Sequence, residues 1–175
     1  MKRLLIVVDF QNDFVTGSLG FENATYLENI IVNKILKYHH EMDDVIFTLD
    51  THQPNYLETN EGKHLPVKHC LKGSYGHQLY GKVKDLVRNS KVFEKPTFPS
   101  LDLANYLKDK DYTEVELCGL VSNICVLSNA VMVKSALPNA QIIVDAQATS
   151  SHDTEMHEKC LDIMGGLHIN VINRT

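Results

Sequence analysis

Three residue types in this chain could form a nucleophile with its partners. Cys125 closes the stretch Gly119-Leu120-Val121-Ser122-Asn123-Ile124-Cys125, where a helix is expected to begin at about Cys125. A thiol at a helix N-terminus feels the positive end of the helix dipole, and a nearby lysine lowers its pKa further towards the reactive thiolate. Lys95, in Glu94-Lys95-Pro96, could supply that charge. Asp9, which ends the run Val7-Val8-Asp9, could hold Lys95 and carry the thiol proton to a leaving amine. Backbone amides between Val121 and Cys125 would serve as an oxyanion hole. Together these groups describe acyl transfer through a cysteine. Residue types alone leave a plain alternative for each: a cysteine in an apolar stretch is commonly a core thiol, and an aspartate after a strand commonly caps a helix.

A second cluster is Asp50, His52, Glu58, Glu61, His64 and His69. Asp-x-His puts two potential ligands on one side of a short extended segment, and a later histidine can close the site. Nitrogen and oxygen donors in this mixture suit zinc, manganese or iron. A solvated loop rich in acids and histidines is the alternative, since no tight ligand spacing is met.

These residues need elements to position them. Six short apolar runs, at residues 4–8, 45–49, 91–93, 115–119, 141–144 and 169–172, read as strands buried on both faces. Between them lie helical periods. Leu27, Ile30, Ile31, Ile35 and Tyr38 share one face, and residues 79–87, 101–107, 126–137 and 156–164 also read as helices, the last stopped by Gly165-Gly166. The alternation predicts an α/β fold, a three-layer αβα sandwich around a mainly parallel, six-stranded Rossmann-like sheet, formed by residues 1–175 as a single domain. Ligands in such sheets bind beyond the carboxyl ends of the strands. Asp9, Asp50, Lys95 and Cys125 all follow predicted strands. The irregular stretch 50–76 is long enough to be functional.

Bulk properties narrow the field. The chain has 175 residues, 43% hydrophobic and 22% charged, so a core of ordinary size is expected. A net charge of -5 gives no electrostatic support to general nucleic-acid binding. No apolar run is long enough to span a bilayer. Met1-Lys2-Arg3-Leu4-Leu5 starts like a signal peptide, but Asp9 cuts the apolar run short and no small-residue cleavage site follows, so a cytoplasmic protein is expected. Cys70, Cys118, Cys125 and Cys160 contain no CxxC pair and read as reduced thiols.

The motifs resemble a known family. Asp9-Phe10-Gln11-Asn12-Asp13-Phe14 is similar to the amino-terminal motif of the isochorismatase-like cysteine hydrolases, which include the nicotinamidases, and Gly119–Val126 resembles their nucleophile segment. Lys95 falls between the two, where the family has its lysine. Asp50-Thr51-His52 and Pro66-Val67-Lys68-His69-Cys70-Leu71-Lys72-Gly73 resemble the metal-loop motifs of the nicotinamidase branch. The resemblance covers almost the whole chain in order.

It implies Asp9, Lys95 and Cys125 as catalytic triad, a cis peptide between Leu120 and Val121, and the amides of Val121 and Cys125 as oxyanion hole. It implies Asp50, His52 and His69 as metal ligands, with Glu61 the fourth and Glu58 a weaker candidate. In nicotinamidases the metal binds the pyridine nitrogen and orients the substrate. Leu65 stands where the family often has an aromatic residue, and the Pro66–His69 spacing is one residue longer than the commonest form. Phe14 would cover one face of the ring, with Tyr56, Tyr75 or Phe98 on another. The implied reaction is cysteine-dependent hydrolysis of a small amide, nicotinamide first, with a homo-oligomer as the family habit. Rival readings are an amidase or ureidohydrolase for another small amide or N-carbamoyl compound, and a non-catalytic thiol sensor or binding module. Cys70, Cys118 and Cys160 are expected to be packing residues, and His77 to start a surface helix. His152, His157 and His168 have no motif around them.

Overall fold

The computed structural model describes residues 2–174. Its centre is a six-stranded, all-parallel sheet in the order β3-β2-β1-β4-β5-β6. The strands are β1 (Arg3–Val8), β2 (Asp44–Asp50), β3 (Lys91–Lys95), β4 (Glu114–Leu120), β5 (Gln141–Ser150) and β6 (Asn170–Ile172). The helices are α1 (Asn12–Val15), α2 (Leu27–His40), α3 (Asn60–His64), α4 (Leu101–Leu107), α5 (Leu127–Ala136) and α6 (Thr154–Gly166).

Alternation along β1 explains the layers. Leu4, Ile6 and Val8 face α4, α5 and α6, packing with Leu107, Val133 and Met164. Leu5 and Val7 face the other way, onto Ile31, Ile35 and Tyr38 of α2. Every one of these side chains is buried, and each large aliphatic contributes about 1.5–3 kcal/mol by leaving water. Both faces of the sheet are therefore covered, which is what parallel strands require.

The strand order reverses beside β1: the chain runs outward through β2 and β3, then returns to lay β4 on the other side of β1. The crevice at such a switch point, beyond the strand ends, is where open α/β sheets bind ligands. Gly119 permits the close approach there. Its φ is +112°, and a Cβ would stand 2.0 Å from Val8 O, so no other residue fits without moving β1.

Several local expectations change. Residues 79–87 do not form an α-helix: Leu79 makes an antiparallel bridge with Gln11, and a 3-10 helix covers only Gly81–Leu86, with Gly81 at φ +52° breaking the entry. His77 starts no surface helix. It is buried, with Nε2 2.8 Å from Thr51 Oγ1, because the 70–80 segment folds back over the end of β2. Regular α-helix begins at Leu127, after a π-helical turn over Ser122–Val126. The sheet is wholly rather than mainly parallel. No helix among the described residues is long and apolar enough to cross a membrane.

Candidate active site

The parallel register brings three strand ends together. Asp9 follows β1, Lys95 ends β3 opposite Asp50 of β2, and Cys125 lies in the turn after β4. Asp9 and Lys95 are essentially fully buried. Lys95 Nζ lies 2.5 Å from Asp9 Oδ2 and 3.7 Å from Cys125 Sγ, and it donates to Thr97 O at 3.0 Å. Thr48 Oγ1 donates to Asp9 Oδ1 at 2.6 Å. Asp9 Oδ2 is buried, with the Lys95 ammonium its ion-pair partner.

The electrostatics differ from the simple expectation of a lysine-activated thiolate. Burial pushes the Cys125 thiol well up; Lys95 pulls it down by less, and the negative charges of Asp9 and Asp50 add to the rise. Burial also raises the Asp9 carboxyl against the pull of Lys95. Burial opposes the Lys95 charge, but Asp9, Cys125 and Asp50 hold it above its ordinary value. Burial thus favours the protonated thiol, and Lys95 sits at ion-pair distance from Asp9 beside it.

The second cluster assembles next to the first. Asp50, His52, Glu61 and His69 bring four donor atoms within 4.8 Å of one another. Asp50 Oδ2 is 2.9 Å from His52 Nε2 and 3.2 Å from His69 Nε2, and Glu61 Oε1 is 3.5 and 3.6 Å from the same two nitrogens. Two carboxylates and two imidazoles fit a divalent cation. Two details strengthen the fit. His69 uses Nδ1 on Val67 O at 2.7 Å, which turns Nε2 inward. Glu61 Oε2 is buried without a hydrogen-bond partner. Gly62 seats this corner, since a Cβ there would lie 2.0 Å from Tyr56 O. Glu58 and His64 stand outside the set.

Between the clusters lies a cavity of about 410 Å³. Cys125 and Val121 line one end, Asp50, Glu61 and His69 another, and Phe14, Leu65 and Phe98 form apolar walls. Of the aromatic candidates, Phe98 joins Phe14 on the cavity. Tyr56 instead backs the two histidines, its ring centroid 4.6 Å from His52 and 5.0 Å from His69, and Tyr75 lies on the surface, 73% exposed. The Leu120–Val121 peptide is cis.

Some residues of this region carried no chemical signal in the sequence. Gln11 clamps the backbone of Asp50, and Asp13 Oδ2 accepts from Cys70 N at 2.8 Å, tying the motif after β1 to the histidine loop. His152 reaches the cavity, and His157 contacts Ser122 in the cysteine turn. For Gln11 and Asp13, the polar run Asp9-Phe10-Gln11-Asn12-Asp13 directly after a predicted strand was the available hint.

The chain is 32% identical over 169 residues to an uncharacterized isochorismatase family protein, PncA, of Bacillus subtilis, covering 90% of this chain and 91% of that protein. It is 28% identical over 169 residues to the nicotinamidase/pyrazinamidase of Mycobacterium tuberculosis, covering 87% and 89%. The crystal structure of nicotinamidase/pyrazinamidase PncA from Bacillus subtilis superposes with a TM-score of 0.87 at 29% identity, covering 98% of this chain and 99% of that one. The profile of the isochorismatase domain matches residues 3–174, across every strand that carries the site, and this chain belongs to the isochorismatase family.

Proposed function

We propose that this protein is an amidohydrolase that cleaves the C–N bond of nicotinamide, releasing nicotinate and ammonia through a thioester on Cys125. The carrying observation is one cavity lined both by Cys125, which lies beside the Asp9–Lys95 pair, and by Asp50, Glu61 and His69 of the second cluster. The similarity to nicotinamidases supports the same substrate.

Asp9 accepts the Cys125 proton as sulfur attacks the amide carbon. Lys95 stays charged throughout and stabilises both the carboxylate and the forming thiolate. The backbone amides of Val121 and Cys125 take the negative charge that develops on the carbonyl oxygen. Asp9 returns the proton to the departing nitrogen, giving ammonia and the thioester. Water then attacks, with Asp9 again as base, and the thiol is restored with release of the carboxylic acid. Phe14, Leu65 and Phe98 keep this chemistry in an apolar enclosure.

Asp50, His52, Glu61 and His69 would hold a divalent ion such as zinc, manganese or iron, which supplies a Lewis-acidic position for the ring nitrogen. We read the protein as a cytoplasmic enzyme of NAD salvage. All four cysteines are free and buried, in keeping with a reducing compartment. By family likeness we also read it as a homo-oligomer, which sedimentation would check. The aliphatic Leu65 on the cavity wall favours, as second reading, another small amide or an N-carbamoyl compound.

The test is ammonia release from nicotinamide by the metal-loaded protein beside Cys125→Ala. Turnover that vanishes in the variant supports the assignment. An inactive intact protein whose Cys125 is still selectively alkylated moves the search to the second reading. Turnover retained by Cys125→Ala would show that the cysteine mechanism is wrong.

A further inference from the structure

Helix α6 takes no part in the chemistry above, yet it grips the cysteine turn at one residue. His157 Nδ1 lies 2.8 Å from Ser122 Oγ, and one helical turn later Cys160 Sγ donates to Ser122 O at 3.2 Å. Residues three apart share a helix face, so both contacts come from one stripe of α6. Ser122 is fully buried. It lies between Val121 and Cys125, whose amides are assigned to the oxyanion. The turn is anchored on its other side by Asn129, whose Nδ2 donates to Cys125 O at 2.8 Å.

A serine beside a histidine invites reading as a nucleophilic dyad. Neither residue lines the cavity onto which Cys125 opens, and the Ser122 hydroxyl is taken up by His157. Burial lowers the His157 pKa, which leaves a neutral imidazole at neutral pH and a hydrogen bond between uncharged partners.

We propose that His157 is a positioning residue: through Ser122 it fixes the 121–125 backbone, and with it the aim of the oxyanion amides and the Cys125 sulfur. The inference rests on the cysteine-hydrolase reading of the site. Displacing a reacting group by a fraction of an ångström costs rate more than binding, so the effect belongs in kcat.

The experiment compares intact protein with His157→Ala, Ser122→Ala, the double variant and His157→Asn, each normalised to titratable Cys125. Two rates are read: nicotinamide turnover and alkylation of Cys125 by iodoacetamide. Each single alanine variant should lose about tenfold in kcat with KM within about twofold, and the double variant should lose no more than either single one. His157→Asn should recover most of the rate, since its amide can occupy the place of Nδ1. A merely structural contact would lower thermal stability and leave kcat per titrated thiol unchanged, which overturns the proposal. Multiplying losses in the double variant, or no recovery by asparagine, also overturn it. If the intact protein ignores nicotinamide, the substrate assignment fails separately, and the positioning role is judged on alkylation: a rate unchanged in His157→Ala rejects it.

Discussion

Gln11 holds Asp50 by both of its backbone groups: Nε2 donates to Asp50 O at 2.9 Å, and Oε1 accepts from Asp50 N at 2.8 Å. The same Nε2 donates to His77 O at 2.8 Å. A fully buried side chain thus sets the end of β2, from which Asp50 faces His52, His69 and Lys95.

Removing that clamp should affect folding and metal binding together. Gln11→Ala strands buried backbone groups, each costing about 1–3 kcal/mol, and frees Asp50 to move. Urea denaturation should show a loss of that order. Chelator competition should show metal affinity reduced by about 10–100-fold, as for other outer partners of ligands. Unchanged affinity would mean that Asp50 is held by its other contacts.

Asp9 and Lys95 should act oppositely on the thiol. Besides burial, Lys95 lowers the Cys125 pKa and Asp9 raises it. Asp9→Asn should therefore alkylate faster than intact protein at pH 7, while losing about 10²–10⁴-fold in turnover with its proton carrier. Lys95→Met should alkylate more slowly and also lose turnover. Iodoacetamide kinetics beside ammonia release distinguish the two. Slower alkylation in Asp9→Asn would contradict the charge balance described here.

Lys34 makes alkaline pH a stability test remote from the site. Its Nζ lies 2.7 Å from Glu116 and 2.5 Å from Asp145, between α2 and the sheet. Burial works against its charge, but these two acids raise its pKa above the ordinary 10.5. A raised folded-state pKa stabilises fully below the unfolded value and is lost as pH rises through the folded one. Burial raises Tyr38 and Cys118 as well, which adds to the fall at high pH. Urea midpoints should decline as pH rises past about 10.5, and Lys34→Met should decline less steeply there, from a start about 3 kcal/mol lower. An equally steep decline would exclude Lys34 as a contributor.

Phe14 and Phe98 face one cavity and should bind substrate rather than drive the chemistry. Each alanine substitution should raise KM about tenfold with a smaller change in kcat, matching aromatic contacts of about 0.5–1.5 kcal/mol plus lost burial. Tyr75→Ala, on an exposed side chain away from the cavity, should leave both constants unchanged.

The amino-acid sequence by itself determined the layered α/β architecture and which residues stand at strand ends. Both are local properties: a buried parallel strand is a short apolar run, and a polar residue that stops the run marks its end. Asp9 and Asp50 were legible in this way, Lys95 only as one of the pair Glu94-Lys95 after the third run, and the amphipathic period of Leu27, Ile31, Ile35 and Tyr38 was legible too. The turn at Cys125 was only partly legible, because π-helical and α-helical starts share the same residue types.

Only the tertiary structure decided what those ends meet. Lys95 reaches Asp9 because β3 and β1 flank β2 in register, and Glu61 joins the histidines because α3 folds over Tyr56. The thiol pKa, raised by burial against a nearby cation, depends on every layer covering the site. His77 on Thr51, Gln11 on Asp50 and His157 on Ser122 join residues 26 to 39 positions apart, and no periodicity announces them. Such contacts arise when separate loops are brought over one sheet edge, a non-local event set by packing rather than by neighbouring residues.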